Sequence, residues 1–320
     1  MINILACASD NYTMQCGVLF CSICENNKIE PIHFYVFVDK DFTMNHKQQM
    51  EALINKYPQK QVSFITVLDD DVNRFLKLEN SYYTRHVFYR LLMAKLLPLT
   101  VDRVLYLDCD IIVRKSLRPL WEIDISKKAI GVVRDAQEGV IYQYNRLGYS
   151  YDKGYFNSGV LYANLTYWRE TNATERLFEY INFHADKIKL PDQDPLNVVF
   201  QDEKKFIPFT YNLQSDFLFK VDKMAFDYNK YKKELESCRE NPVVLHLSGA
   251  RPWINGCKHP FKSEFFKYRD KTFWKDTPLW IEKKSINVRL YQSVFLRKIL
   301  SKLGVCNTII NPFDYSLKLK

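Results

Sequence analysis

Two carboxylates, Asp108 and Asp110, flank a single cysteine at the end of the apolar run Val104-Leu105-Tyr106-Leu107. A run of this kind reads as a buried strand, and ligands of open α/β sheets sit at the carboxyl ends of their strands. Strand residues two apart point to the same side, so both acids can face one hard cation. Oxygen ligands suit Mg²⁺ or Mn²⁺, which keep coordination positions open for substrate phosphates. The triplet therefore reads as a metal clamp for a diphosphate, against the plainer reading of an acidic turn that closes a strand.

Five further segments carry groups that could serve such a clamp. Ala8-Ser9-Asp10-Asn11-Tyr12 follows the first apolar run; its polar groups suit a base or ribose, or else Ser9 or Asp10 caps a helix. Arg90 is a cation inside the otherwise apolar stretch His86–Leu92, either snorkelling to water or contacting phosphate or sugar. Asn157 and Ser158 precede a strand-like run and suit sugar hydroxyls. Pro191-Asp192-Gln193-Asp194-Pro195 sets two acids and an amide in a turn. There Asp194 reads as a helix cap, while Asp192 and Gln193 are candidates for the sugar and the reacting carbon. His246 ends the run Val243–Leu247, where a neutral imidazole can join carboxylates on Mn²⁺ or simply be a satisfied core residue. Gly249 and Arg251 follow it, and suit a close backbone approach to phosphate and a cationic contact with it. No Gly-rich dinucleotide fingerprint is present.

The elements that must position these groups alternate. Strand-like runs at 2–8, 34–38, 62–67, 104–107, 111–113, 130–133, 159–163 and 243–247 are interleaved with helix-like runs at 14–24, 43–57, 84–97, 174–186 and 195–201. Thr43 reads as an N-cap and Pro58 as a stop. The residues from Asp69 to Ser81 read as a polar loop. This alternation predicts an α/β domain with a mostly parallel central sheet flanked by helices, and 320 residues are ample for its core. The eight cysteines sit mostly in apolar segments, and Cys21-Ser22-Ile23-Cys24 reads as a packed helix face. Reduced, buried thiols of a cytosolic protein are expected rather than disulfides or zinc. Neither a signal peptide nor a bilayer-spanning stretch is recognised, and no nucleic-acid partner is expected.

Ala8–Tyr12, Tyr89-Arg90-Leu91, Val104–Asp110, Tyr155-Phe156-Asn157-Ser158-Gly159, Asp192-Gln193-Asp194 and His246–Trp253 stand in one order. In that order they resemble glycosyltransferase family 8, the retaining hexosyltransferases that include bacterial lipopolysaccharide galactosyl- and glucosyltransferases. The resemblance spans roughly residues 1–255. It implies a GT-A fold, a UDP-hexose donor, a saccharide or glycolipid acceptor and Mn²⁺ (or Mg²⁺). Residue by residue, it implies Asp108, Asp110 and His246 as metal ligands and Ala8, Ser9, Asp10, Asn11 and Tyr12 as the uridine and ribose pocket. Arg90, Cys109, Asp135, Asn157, Ser158 and Asp192 would be donor contacts, Gly249 and Arg251 the diphosphate loop, and Gln193, with Asp192, the residues at the reacting carbon. Two departures stand out: Ser9 replaces a frequent acid, and the loop after His246 is one residue short, with Arg251 where the family has Lys. The competing readings are a phosphatase of the haloacid-dehalogenase type, which shares a D-x-D strand end, and an inactive sugar-nucleotide-binding protein.

The net charge of +9 is uneven, because residues 281–320 contribute +6 of it. Two regions are therefore expected: a catalytic domain over 1–282 and a basic, amphipathic helical extension over 283–320. Lys283, Lys284, Arg289, Arg297, Lys298 and Lys302 lie among Ile286, Tyr291, Phe295, Leu296, Ile299 and Leu303. This segment either docks on the anionic inner face of the cytoplasmic membrane or packs on the domain with its charges solvated. The loop 136–154 is the candidate acceptor wall.

Overall fold

A computed structural model describes residues 1–73, 85–281 and 312–320. Seven strands form the central sheet: β1 (Ile2–Cys7), β2 (Ile32–Val38), β3 (Lys60–Thr66), β4 (Arg103–Leu107), β6 (Ile130–Arg134), β7 (Phe156–Asn164) and β8 (Lys204–Phe206). Their spatial order is β3-β2-β1-β4-β7-β6-β8. All neighbours are parallel except β7, which runs antiparallel to both β4 and β6. The inner strands β1, β2, β4, β6 and β7 are buried on both faces, as the strands of a helix-covered sheet must be. In β1, Ile4 and Ala6 face one apolar cluster with the helix Thr13–Asn26, while Leu5 faces a second cluster with the segments around Leu91 and Leu177.

A smaller sheet takes over where the large one ends. β5 (Ile111–Val113) pairs antiparallel with β10 (Val244–His246), which pairs parallel with β9 (Leu213–Gln214). The acidic pair is the corner between the two sheets: β4 stops at Leu107 and β5 starts at Ile111, with a turn between them. The Asp108 amide donates to Gly159 O of β7 (2.9 Å), and the Ile111 amide donates back to Asp108 O (3.2 Å). The two carboxylates thus converge through a turn, not through strand alternation.

Most expected elements are present, with shifted ends. Thr43 caps its helix, with its hydroxyl accepting the His46 amide. The stretch expected to be a regular helix over 84–97 is a 3₁₀ helix at Arg85–Leu92 followed by one α turn at Met93–Leu96. The tighter winding carries Arg90 inward. Asp69–Asn73 is a short helix rather than loop. Helices at Ile141–Leu147, Leu165–Glu170, Tyr228–Glu240 and Lys262–Arg269 were not anticipated. Cys7, Cys16, Cys21, Cys24, Cys109, Cys238 and Cys257 are free thiols, and Cys21 and Cys24 are packed core, as expected. Among the described residues no helix is long and apolar enough to cross a membrane.

The basic residues from Lys283 to Lys302 lie outside the described residues. Residues 312–320 pack on the domain. Phe313 is buried against Phe219 and His259, and the Asp314 amide donates to Leu218 O (2.9 Å). At the last residue, the Lys320 amide donates to Glu240 O (2.8 Å), and its own carbonyl accepts from Arg114 (3.0 Å).

Candidate functional site

A cleft of about 440 Å³ opens at the carboxyl ends of β1 and β4. Ser9, Tyr12, Arg90, Asp108, Cys109, Asp110, Asn157, Ser158, Asp192, Gln193 and Arg251 line it together with Cys7, His86, Val87, Tyr106, Gly159 and Leu190. Segments scattered over more than 240 residues of sequence therefore meet in one place. A second cleft of about 470 Å³, at the opposite end of β4 around Asp102, Glu122 and Glu170, holds none of the predicted site residues.

The two sheets set the acid cluster. The register of β10 on β5 puts His246 opposite Ile111, beside the acidic turn, and the Leu247 amide donates to Asp110 O (2.9 Å). His246 Nε2 then lies 3.1 Å from Asp110 Oδ1. One ligand atom each from Asp108, Asp110 and His246 falls within 4.8 Å of the others. Two carboxylate oxygens and one imidazole nitrogen form a donor set suited to Mn²⁺ or Mg²⁺ with open positions. The floor under them is Gly159, where a Cβ would fall 2.3 Å from His246 Cε1 and 2.9 Å from Asp108 Oδ2. No other residue fits there. The cradle, the donor set and their proximity all fit a divalent ion.

The electrostatics agree. Burial pushes Asp108 above the ordinary carboxylate range in spite of Arg90. Burial also works on Asp110, but His246 outweighs it and holds that carboxyl below the ordinary value. In turn, burial opposes the charged His246 ring, yet Asp110 raises its pKa. Without a cation, Asp110 and His246 favour each other's charged forms, a pairing that a metal would contest.

Arg90, at 7% exposure, is not snorkelling. Its guanidinium stacks 4.4 Å over the Tyr106 ring, pairs with Asp108 (2.9 Å) and Asp192 (3.1 Å), and donates to Ser158 O (3.1 Å). Tyr106 Oη donates to Asp108 Oδ1 (2.5 Å). Gln193 opens the helix Gln193–Val199. Its side-chain oxygen accepts from the Ser158 amide (3.0 Å), Ser158 Oγ (3.3 Å) and Asn157 Nδ2 (3.3 Å), and its Nε2 donates to Asp135 Oδ2 (3.2 Å). Asp135 lies behind the cleft wall, where burial raises its carboxyl.

Other predicted residues stand differently. Ala8 packs in the core. Neither Ser9 nor Asp10 caps the following turn through its side chain; Asp10 accepts from the Thr43 amide (2.9 Å) and faces His46 (2.6 Å). Asn11 is exposed. Tyr12 sits edge-on to Trp253 and Trp280, and Cys109 donates to Cys7 O (3.3 Å). Gly249 holds a left-handed φ of +80° with open space around it, which suits a backbone approach. Asp194 does not cap its helix. It is fully buried, gripped by Arg146 (2.8 and 3.2 Å) and Tyr155 Oη (2.6 Å), and it accepts the amides of Lys189 and Leu190. That clamp fixes the helix Ile141–Leu147 against the segment leading to Asp192. Asn212 and Arg146 were missed, because only tertiary register brings them to the site; Tyr106 and Gly159 stand inside the motifs Val104–Asp110 and Tyr155–Gly159 but were given no role there.

Residues 3–257 match the family model for glycosyl transferase family 8. The chain is 29% identical over 280 residues to General stress protein A of Bacillus subtilis (strain 168), covering 86% of this chain and 95% of that protein. It is 27% identical over 278 residues to a lipopolysaccharide 1,2-glucosyltransferase of Escherichia coli (strain K12), covering 86% and 79% respectively. The structure of the galactosyltransferase LgtC in complex with donor and acceptor sugar analogues superposes with a TM-score of 0.74 at 25% identity, covering 85% of this chain and 96% of that one.

Proposed function

The chain belongs to glycosyl transferase family 8, and we propose that it is a retaining hexosyltransferase that moves galactose or glucose from a UDP-sugar to a glycan or glycolipid acceptor of a cell-surface polysaccharide such as lipopolysaccharide. The family match removes the phosphatase reading. The intact cleft, in which every proposed metal ligand and donor contact is positioned by a hydrogen bond or ion pair, speaks against an inactive binder. The observation that carries the reading is the convergence of Asp108, Asp110 and His246 over Gly159 within reach of Gln193's network.

Asp108, Asp110 and His246 would hold Mn²⁺ or Mg²⁺, which supplies Lewis-acid stabilisation of the charge that builds on a departing diphosphate. Arg251, at the cleft rim, adds a fixed positive charge for the same leaving group. Gly249 offers the diphosphate an unobstructed backbone. Arg90, 3.1 Å from Asp192, holds that carboxylate in place for a donor-sugar hydroxyl. Gln193 is a poor nucleophile twice over: an amide oxygen is weak, and this one already accepts three hydrogen bonds. That favours attack of the acceptor hydroxyl on the same face as the leaving group, whose phosphate oxygen takes the proton. Retention is what the family implies, and front-face attack without a covalent intermediate accounts for it.

The helix Ile141–Leu147 supplies the acceptor wall in this reading. Tyr142 is 58% exposed, with Lys189 Nζ 4.6 Å from its ring centroid, next in sequence to the cleft residue Leu190. An exposed aromatic face beside a donor cleft suits a sugar ring. The region 283–320 would bring the enzyme to its lipid-linked acceptor by peripheral contact with the membrane. Two pieces of the packing bear on this: the last nine residues are pinned to the domain, and the chain enters the basic segment from Trp280, whose amide donates to Trp253 O (2.7 Å). Co-sedimentation with anionic vesicles, equal for full-length protein and a 283–320 deletion, would remove the membrane contact alone. The reading as a whole is tested by a hydrolysis screen of UDP-sugars with and without Mn²⁺. Turnover of UDP-glucose or UDP-galactose is expected, and turnover of neither would overturn it.

A further inference from the structure

Two consecutive backbone amides of β7 orient a chain of side-chain amides, buried at Asn212 and Gln193 and half-buried at Asn157, that reaches from the acid cluster to Gln193. The Gly159 amide donates to Asn157 Oδ1 (3.0 Å). A backbone N–H can only donate, so the oxygen of Asn157 is identified without ambiguity. Asn212 approaches that same oxygen at 2.9 Å, so it must present its NH₂ group there. Its oxygen is left facing His246 Nδ1, also at 2.9 Å. His246 must then carry its proton on Nδ1, and in the neutral ring the lone pair stands on Nε2, toward Asp110.

The other amide acts in the opposite direction. Ser158 N–H donates to Gln193 Oε1 (3.0 Å), which turns the Gln193 NH₂ onto Asp135 (3.2 Å). Asn157 Nδ2 joins the halves by reaching both Asp135 Oδ2 (3.1 Å) and Gln193 Oε1 (3.3 Å). Asn212 is fully buried. It touches no part of the cleft surface and immediately precedes β9, whose Gln214 pairs with His246. A fully buried polar residue at this position satisfies two partners at once, the Asn157 oxygen that it shares with the Gly159 amide and the His246 ring.

We propose that Asn212 is a positioning residue that presets His246 in its Nδ1–H tautomer for metal binding and, through Asn157, ties the metal site to the amide of Gln193. This rests on the metal reading above. The second link is the informative one. Asp at position 212 keeps an oxygen for His246 but loses the donor to Asn157, so the two functions separate.

The tautomer can be read on metal-free protein by long-range ¹H–¹⁵N correlation of the imidazoles at alkaline pH; the chain has only six histidines. An Nδ1–H ring for His246 is expected, and an Nε2–H ring would overturn the proposal whatever the metal does. Mn²⁺ affinity, followed by electron paramagnetic resonance, should fall about 10–100-fold in Asn212→Ala, the usual effect of losing a hydrogen bond behind a metal ligand. Asn212→Asp should recover most of that affinity while kcat for donor hydrolysis stays low at an unchanged KM. Unaltered Mn²⁺ affinity in Asn212→Ala, or full kcat in Asn212→Asp, would overturn the proposal. An unaltered protein that shows the Nδ1–H ring yet binds no Mn²⁺ would sink the metal reading and leave Asn212's orientation of His246 standing.

Discussion

Arg90 stands between Asp108 and Asp192, 2.9 Å from one carboxylate and 3.1 Å from the other. A single buried cation thus joins a proposed metal ligand to the acid that precedes the proposed catalytic amide. Arg90→Met removes the cation and strands two acids. Breaking a buried pair in this way costs about 3–5 kcal/mol, so a clear drop in the thermal midpoint is expected, with loss of donor binding. Arg90→Lys should recover only part of either, because a point charge cannot replace the guanidinium fork. Differential scanning calorimetry of the two variants checks this, and equal melting of Arg90→Met and the unaltered protein would contradict it.

Gly159→Ala places a methyl group where His246 and Asp108 already stand. The strand can accept alanine's backbone, so the substitution should leave the far-ultraviolet circular dichroism spectrum unchanged. Mn²⁺ binding should fall at least tenfold. A variant with intact metal affinity would mean that the acid cluster has more room than its geometry indicates.

Metal affinity should decline as pH falls. Both Asp108 and His246 hold protons more tightly than ordinary groups of their type, Asp108 through burial and His246 because Asp110 outweighs its burial. A ligand must be deprotonated to bind, so the raised pKa values move proton competition upward toward neutrality. Calorimetric Mn²⁺ titrations at pH 5.5, 6.5 and 7.5 should show affinity rising steadily. A flat profile would exclude His246 as a ligand.

Gln193→Ala should lower kcat more than it alters the donor KM. The Gln193 amide sits at the end of a fixed network, and groups that act on the transition state appear in kcat. Steady-state hydrolysis of the UDP-sugar substrate separates the two constants. Full kcat with a raised KM would reassign Gln193 to ground-state binding.

The chemistry was more legible in the sequence than the geometry that assembles it. Asp108, Asp110 and His246 are identifiable because carboxylates and imidazole at the ends of apolar runs are chemically unusual. Their convergence depends on β5 leaving the large sheet to pair with β10, and no local pattern announces that. Asp194 reads as a cap by position, yet the unforeseen helix Ile141–Leu147 brings Arg146 onto it and turns it into a buried clamp. The stretch around Arg90 keeps a helical apolar pattern but winds as a 3₁₀ helix, so the direction in which Arg90 points could not be read from spacing. Asn212 carries no chemical signature at all, and Gly159 none beyond its place after Asn157-Ser158. Their importance lies in what stands within 3 Å of them.

The central claim is that Asp108, Asp110 and His246 bind a nucleoside diphosphate through a divalent cation. Isothermal titration of UDP in Mn²⁺ and in EDTA, on the unaltered protein and on Asp110→Ala, tests it most directly. Asp110 is partly exposed in a turn that needs no carboxylate for packing, so the variant should keep its fold. The account predicts UDP binding that requires Mn²⁺ and disappears in Asp110→Ala. UDP binding of equal strength in EDTA, or unchanged Mn²⁺-dependent binding in the variant, would contradict it.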